Sequence, residues 1–183
     1  MTVLIYDDVV NEELRKSIVN QLNIMKWGFG WKASPDAPFS FFHNHFCGPL
    51  EEIRTIEDNS KELEISYPII HQLWKVILTL VPNQKLIKSY ANAYPYGSDG
   101  TLHKDIPDSR SLTWIFYPNN VWHPNWAGET VFFNGEEDIC FAAYPKPRRL
   151  ISFPGYLPHI ARGISRQCPY IRITVVFKTI QNG

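Results

Sequence analysis

The run His103-Lys104-Asp105 carries the side chains of this sequence that are best suited to chemistry. Residues two apart on an extended chain project to the same side, so the imidazole of His103 and the carboxylate of Asp105 face one point while Lys104 turns away. Both groups are good ligands for a divalent transition metal. Because an isolated His-x-Asp pair is also common in solvated surface turns, the prediction of a metal site depends on a third ligand.

His159 is the histidine best placed to be that third ligand, because it follows an apolar run, 149–153, and the turn Pro-Gly-Tyr-Leu-Pro. Two imidazoles and one carboxylate can occupy one face of a metal ion and leave three adjacent positions open. This arrangement is typical of non-haem Fe(II) oxygenases. The sequence therefore predicts a mononuclear iron site with His103, Asp105 and His159 as the protein ligands.

The first part of the chain is predicted to contain two helices. Asn11, which two glutamates follow, has the character of a helix N-cap with acids in the first turn, and apolar residues recur behind it at helical spacing. A second helix is predicted to begin at Pro68, whose missing N–H costs nothing in a first turn, and to stop at Pro82. Residues 3–6 are short and β-prone, whereas residues 31–60 show no clear pattern.

From Lys85 onward the sequence changes to short β-prone runs that turn residues separate. These runs cover residues 86–94, 111–117, 129–133, 138–144, 149–153 and 169–178. Many short strands at such spacing are typical of a sandwich or barrel, and the abundant aromatic residues suit half-buried sheet surfaces. We therefore predict a single domain over 1–183, in which helices and substrate-side loops over 1–84 support a β core over 85–180.

Composition argues against several classes of protein. Eighteen basic residues balance eighteen acidic ones, so a mainly electrostatic nucleic-acid partner is not expected. No apolar run has the length of a membrane span, and the N-terminus lacks the basic start and long apolar stretch of a signal peptide. Cys47, Cys140 and Cys168 form no paired motif, which favours a reducing compartment. We expect a cytoplasmic protein without a membrane partner.

The order of these elements resembles that of the Fe(II)/2-oxoglutarate-dependent dioxygenases, and within them the prolyl-hydroxylase-like (prolyl 4-hydroxylase) branch. The resemblance covers roughly residues 85–178 and rests on the successive segments AYPYGSDGTLHKD, SLTWIFYPN, WAGETVFF, RRLISFPGYLPH and YIRITVVFK. It implies a mainly β (α+β) fold whose core is a double-stranded β-helix, or jelly roll. Ala127 stands where the family commonly has a second glycine, and we expect this departure to alter a turn without affecting the iron site.

The resemblance also implies roles for individual residues, and it again makes His103, Asp105 and His159 the iron ligands. Arg172 corresponds to the basic residue that pairs with the distal carboxylate of 2-oxoglutarate. This task suits a guanidinium, because its planar fork binds a carboxylate through two hydrogen bonds. An ordinary position on the strand surface is the alternative for Arg172.

Three more residues are implied in binding of the cosubstrate. Thr174 lies two residues beyond Arg172 on the same strand face and could add a hydroxyl to the same carboxylate. Tyr94 corresponds to a tyrosine near the cosubstrate, and Tyr117 is expected to hydrogen-bond the distal carboxylate. A packing role is the alternative for both tyrosines.

The implied reaction uses Fe(II), 2-oxoglutarate and O2, with ascorbate as a supporting reductant, and hydroxylates a C–H bond. The branch implies a prolyl residue in a peptide or protein as the substrate, with walls from residues 28–49 and 118–126 and contacts from Trp31, Trp122 and Trp126. The alternatives are the same chemistry on a free amino acid, another small molecule or a nucleic-acid base, and a cupin-type metal-binding protein without oxygenase activity. A cupin has no need of a cosubstrate clamp such as Arg172, and the neutral charge argues against a nucleic-acid substrate.

Overall fold

The computed structural model describes residues 2–50, 56–135 and 138–182. The strands are β1 Leu4–Tyr6, β2 Gly28–Trp31, β3 Phe41–Cys47, β4 Gln84–Tyr94, β5 Ser111–Phe116, β6 Thr130–Phe133, β7 Ile139–Ala143, β8 Leu150–Pro154, β9 His159–Ala161 and β10 Arg172–Gln181. The helices are α1 Glu12–Ile24, α2 Ser60–Ser66 and α3 Pro68–Leu80, and a short 3₁₀ turn spans Pro124–Trp126.

Both predicted helices are present and begin where the sequence indicated. The side chain of Asn11 accepts a hydrogen bond from the backbone N–H of Leu14 at 2.8 Å, which satisfies an otherwise free donor at the start of α1. Pro68 occupies the first turn of α3, which ends two residues before Pro82. Helix α2 was not predicted, because Leu63 is its one buried residue and its sequence therefore shows no apolar stripe. No helix in the described parts of the chain is long and apolar enough to cross a membrane.

The strands form two antiparallel sheets. One has seven strands in the order β1-β8-β5-β10-β4-β3-β2, and the other has three in the order β7-β6-β9. A cluster of buried side chains that includes Phe132 from the small sheet and Phe153 from the large one fills the space between the sheets. Helices α1 and α3 pack on the outer face of the large sheet, where Trp74 stacks on Phe177. The predicted mainly β fold with a jelly-roll core is therefore confirmed.

Each of the six predicted β runs contains a strand, and the β-prone residues 3–6 contain β1, but the large sheet also includes β2 and β3, which the sequence did not predict. Strand β1 lies at one edge, while β2 and β3 extend the other edge beyond β4. The segment before residue 84 therefore supplies strands as well as helices. Strand β3 is buried along much of both faces, and such a strand shows no apolar–polar alternation in its sequence.

Strand β10 lies at the centre of the large sheet, paired with β5 on one side and β4 on the other. Alternate residues of a strand project to one face. Arg172, Thr174, Val176 and Lys178 accordingly all line cavities on the inner face of this sheet. This face positions the candidate site.

Candidate active site

The structure brings His103, Asp105 and His159 together. One ligand atom from each residue lies within 4.8 Å of the others. The Nε2 atoms of the two histidines are each 3.7 Å from an oxygen of the Asp105 carboxylate, His103 from Oδ1 and His159 from Oδ2. We call these three residues the triad.

Backbone pairing fixes the two histidines relative to each other. The N–H of His103 donates to the carbonyl of His159 at 3.1 Å, and the N–H of His159 donates back at 3.0 Å. The Nδ1 atoms lie 2.8 Å from the carbonyl of Thr101 and 2.9 Å from that of Leu157, respectively. Because a carbonyl can only accept, each Nδ1 carries a proton, and each Nε2 is the ring nitrogen that faces Asp105, as in metal-binding histidines.

Asp105 is held by hydrogen bonds to both of its oxygens. The hydroxyl of Thr113 donates to Oδ2 at 2.6 Å, and the ammonium of Lys178 lies 2.8 Å from Oδ1. Burial raises the pKa of Asp105, but Lys178 and the two imidazoles together lower it by more. The pKa of Asp105 therefore lies below its usual range. Asp105 is therefore ionised at neutral pH.

The protonation states of the other groups suit a metal site. Burial lowers the pKa of His159 to about 4, so this imidazole is neutral at pH 7. Burial acts against the charge of Lys178, yet Asp105 and Tyr90 hold the pKa of that ammonium above its usual value. Neutral imidazole and ionised carboxylate are the forms that bind a metal.

Behind the triad a cavity extends to Arg172, and Tyr94, Thr130 and Thr174 are among the other residues that line it. Arg172 is 1% exposed. Its Nε donates to the carbonyl of Gly128 at 2.6 Å, and its Nη2 donates to the hydroxyl of Thr130 at 2.9 Å. A buried guanidinium that ends a cavity is well placed to pair with the carboxylate of a ligand.

The two predicted tyrosines differ in their positions. Tyr94 lines the cavity and stacks on Phe41, and its ring lies 5.5 Å from the guanidinium carbon of Arg172. The ring of Tyr117 lies at the same distance from Arg172, but its hydroxyl hydrogen-bonds Thr130 at 2.8 Å and it does not line the described cavity. The structure thus gives the Tyr117 hydroxyl a protein partner, and the expected contact of Tyr117 with the cosubstrate stays a prediction.

Sequence reasoning missed Thr130 and Lys178. Thr130 follows the Gly-Glu pair at the start of β6, and its hydroxyl joins Tyr117 to Arg172. A signal for Lys178 was present, because Thr174 had already been placed on the face of Arg172 and the same alternation reaches Lys178 four residues later. A lysine in a strand is usually exposed to solvent, so Lys178 was not considered a site residue.

The candidate substrate walls lie in different parts of the molecule. Trp31 lines a second cavity beside the triad. Trp122 and Trp126 instead pack in a separate cluster with Ile164 and Cys168. Of the predicted contact residues, Trp31 alone lies beside the triad among the described residues.

No protein-family model and no curated protein matches the chain. Solved structures do match it. A 2-oxoglutarate/Fe(II) oxygenase-family oxidoreductase from Burkholderia pseudomallei matches with a TM-score of 0.75 at 10% identity, over 99% of this chain and 86% of that one. A prolyl hydroxylase from Trichoplax adhaerens, in complex with a peptide fragment of hypoxia inducible factor, gives 0.68 at 15% identity, over 98% and 83%.

HygX from Streptomyces hygroscopicus, with nickel, 2-oxoglutarate and hygromycin B bound, matches with a TM-score of 0.66 at 12% identity, over 98% of this chain and 83% of that one. Since all these identities are low, the matches establish the fold and leave the substrate open. The resemblance predicted from the order of motifs is confirmed at this level: the chain has the fold of the 2-oxoglutarate/Fe(II) oxygenases, prolyl hydroxylases among them.

Proposed function

We propose that this protein is an Fe(II)- and 2-oxoglutarate-dependent dioxygenase that hydroxylates a C–H bond, with a prolyl residue of a peptide or protein as the substrate. One observation carries the proposal. Two imidazoles and one ionised carboxylate converge at a cavity that is also lined by the buried guanidinium of Arg172. A metal-binding protein without a cosubstrate has no use for that cation.

The residues present fit the metal. The triad supplies the ligand types that non-haem Fe(II) prefers, and both histidines are oriented by hydrogen bonds from Nδ1 to backbone carbonyls. When bound, Fe(II) with 2-oxoglutarate and O2 supplies the oxidation, in which C–H, 2-oxoglutarate and O2 give C–OH, succinate and CO2.

The chain itself binds and orients. Arg172 would hold the distal carboxylate of 2-oxoglutarate, and Thr174 and Tyr94 line the same cavity beside it. Thr113 and Lys178 fix the rotation of the Asp105 carboxylate through its two oxygens. Ile115 and Val176 add apolar walls, which keep water from the reacting atoms.

The prolyl substrate is supported by fold likeness, because the Trichoplax adhaerens structure of similar fold holds a peptide. HygX, with hygromycin B bound, shows that a chain of this fold can also accept a small molecule. For this protein, a free amino acid or another small molecule is therefore the main alternative class of substrate.

The test of the chemistry is conversion of 2-oxoglutarate to succinate by the purified protein with Fe(II) and ascorbate. We expect slow conversion without a prime substrate, and none above the protein-free rate in His103→Ala or Asp105→Ala, because each variant lacks one metal ligand. His71→Ala, on α3 and away from the cavity, is the matched control and should keep full turnover. Full turnover in either triad variant would refute the assignment.

The substrate is tested separately by incubation with proline-containing peptides, free proline and nucleic-acid bases. A mass increase of one oxygen atom, dependent on 2-oxoglutarate, identifies the accepted class. Hydroxylation of a prolyl residue of a peptide is the expected result. Modification of bases alone would overturn the prolyl assignment while leaving the chemistry in place.

A further inference from the structure

The inner face of the large sheet has a second cationic end, opposite Arg172. In the antiparallel pairing of β10 with β4, Arg172 lies across from Tyr94, and Lys178 lies across from Lys88. Lys178 is six positions beyond Arg172, so the Cα atoms of the two residues are about 20 Å apart along one strand. The residues between them surround the triad.

A second cavity, of about 210 Å³, lies at the lysine end. It shares His103, Asp105, Tyr90 and Asn92 with the cavity that leads to Arg172. A molecule bound there would therefore contact the triad from the side opposite the proposed cosubstrate site. Trp31 forms part of its wall.

Positive charge exceeds negative charge in this second cavity. Lys32, Lys88, Lys104 and Lys178 line it, against the single carboxylate of Asp105 among the described residues. The ammonium groups of Lys88 and Lys178 lie 5.8 and 5.7 Å from the ring centroid of Tyr90, so the ring has a cation near it from each lysine. Asp105 pairs with Lys178, and no other carboxylate among the described residues lines this cavity to balance the charge of Lys88.

Lys88 is buried, with 7% of its surface exposed. Its ammonium donates to the carbonyl of Leu50 at 3.0 Å and has no carboxylate partner within residues 2–50, 56–135 and 138–182. Burial and the nearby Lys178 lower its pKa to about 8. Because a buried ammonium without a counter-charge is unfavourable, an anionic ligand would be strongly attracted to this position.

We infer that the substrate of this oxygenase carries a carboxylate, which binds Lys88 and Lys178 and thereby holds the target C–H bond beside the triad. The inference rests on the proposed function. Among the lysines that line this cavity, Lys88 is buried and has no carboxylate partner within the described residues, so its single charge matches one carboxylate better than a phosphate of nearly two charges. A free α-carboxylate belongs to a free amino acid or to the C-terminal residue of a peptide, whereas an internal prolyl residue has none.

Matched acids and amides test this inference, since each pair differs in one charge. The probes are L-proline with L-prolinamide, the tripeptide glycyl-alanyl-proline with its C-terminal amide, and a peptide with an internal proline and both ends blocked. Calorimetry on the full chain measures dissociation constants, independently of turnover. We expect at least one acid to bind about tenfold or more tightly than its amide, as charged hydrogen bonds in a buried site require.

Variants assign that preference to the lysine. Lys88→Met should remove most of the tenfold difference by weakening the acid and leaving the amide unchanged, and Lys88→Arg should restore part of it by returning the charge. Lys75→Met, on the exposed side of α3, removes the same charge far from the cavity and should change neither constant. The two acid probes distinguish a free amino acid from a peptide terminus as the substrate. Lys88-dependent binding of proline alone indicates a free amino acid, and Lys88-dependent binding of the tripeptide indicates a peptide terminus.

Several results would overturn the inference. Equal binding of acids and amides would do so, as would tight binding or hydroxylation of the blocked peptide alone. A loss of 2-oxoglutarate affinity in Lys88→Met would assign the lysines to the cosubstrate instead. If no acid is bound or hydroxylated while 2-oxoglutarate is still converted, the inference fails and the proposed function stands. If no 2-oxoglutarate is converted, the proposed function fails, whereas a Lys88-dependent preference for acids would still support an anion site.

Discussion

The two ends of the cavity system hold their cations in different ways. Arg172 is buried against neutral groups, and both of its assigned hydrogen bonds go to fixed partners on β6 and the turn before it, Thr130 and Gly128. At the other end, Lys178 is tied to the carboxylate of the triad, and the neighbouring Lys88 bonds one backbone carbonyl. One cation is fixed by neutral oxygens, whereas the other is neutralised by a residue of the proposed metal site.

This difference has a consequence for recognition. A guanidinium that neutral partners hold keeps its full charge for a ligand of fixed shape, as a common cosubstrate requires. An ammonium paired with Asp105 is partly neutralised, so the attraction at its end depends on what else is bound to that carboxylate. The Arg172 end is therefore expected to bind one defined molecule, and the lysine end to respond to the state of the triad.

The largest expected effect is that of Lys178→Met, which leaves Asp105 buried without its ammonium partner. Removal of one partner of a buried ion pair should lower the free energy of unfolding by about 3 kcal/mol. Because a bound cation can replace the lost ammonium, Ni(II) should raise the melting temperature of the variant more than that of the unmodified protein. Thermal denaturation with and without the metal measures both effects, with Lys75→Met as the control. A variant as stable as the parent without metal would show that the pair contributes little.

A smaller effect is expected at the other end. Arg172→Ala should weaken 2-oxoglutarate binding by about 2 kcal/mol, or roughly thirtyfold, and Arg172→Lys by less, because the charge remains while the planar fork is lost. Calorimetric titration with 2-oxoglutarate measures this change, and Arg166→Ala, an exposed arginine after β9, serves as the control. An unchanged affinity in Arg172→Ala would mean that another residue binds the distal carboxylate.

The smallest effect is expected for the exposed ion pairs of Asp7. Their contribution to the free energy of unfolding can be compared with that of the buried pair between Lys178 and Asp105. Asp7 contacts Arg149 at 2.7 Å and Lys146 at 3.0 Å, and these partners lower its pKa from 3.8 to about 2. Since the folded pKa is depressed, the pair stabilises the protein above about pH 4, and this contribution is lost as the pH falls towards 2. Asp7→Asn should cost less than about 1 kcal/mol at pH 7. The difference in melting temperature between the parent protein and Asp7→Asn should become smaller as the pH falls. A difference that does not change with pH would refute the pairing.

The sequence carried enough information for most strands from β4 onward and for the meeting of the triad. These strands, except β9, are short β-prone runs between clear turns, so local pattern and final structure agree there. Strands β3 and β9 were not predicted. Strand β3 is covered along much of both faces, and β9, with three residues, is too short to show a repeating apolar pattern. Neither the partner of Lys178 nor that of Tyr117 is visible in sequence, since each contact joins a strand residue to a residue of another segment that only the folded chain brings near.

The reciprocal backbone hydrogen bonds between His103 and His159 also bear on dynamics. Both amide protons are held inside one small bridge, so neither can exchange with solvent until the bridge opens. The same opening would move the two imidazoles apart. Slow hydrogen–deuterium exchange at these two amides would thus report the lifetime of the assembled site, and it should lengthen when any ligand joins the two rings.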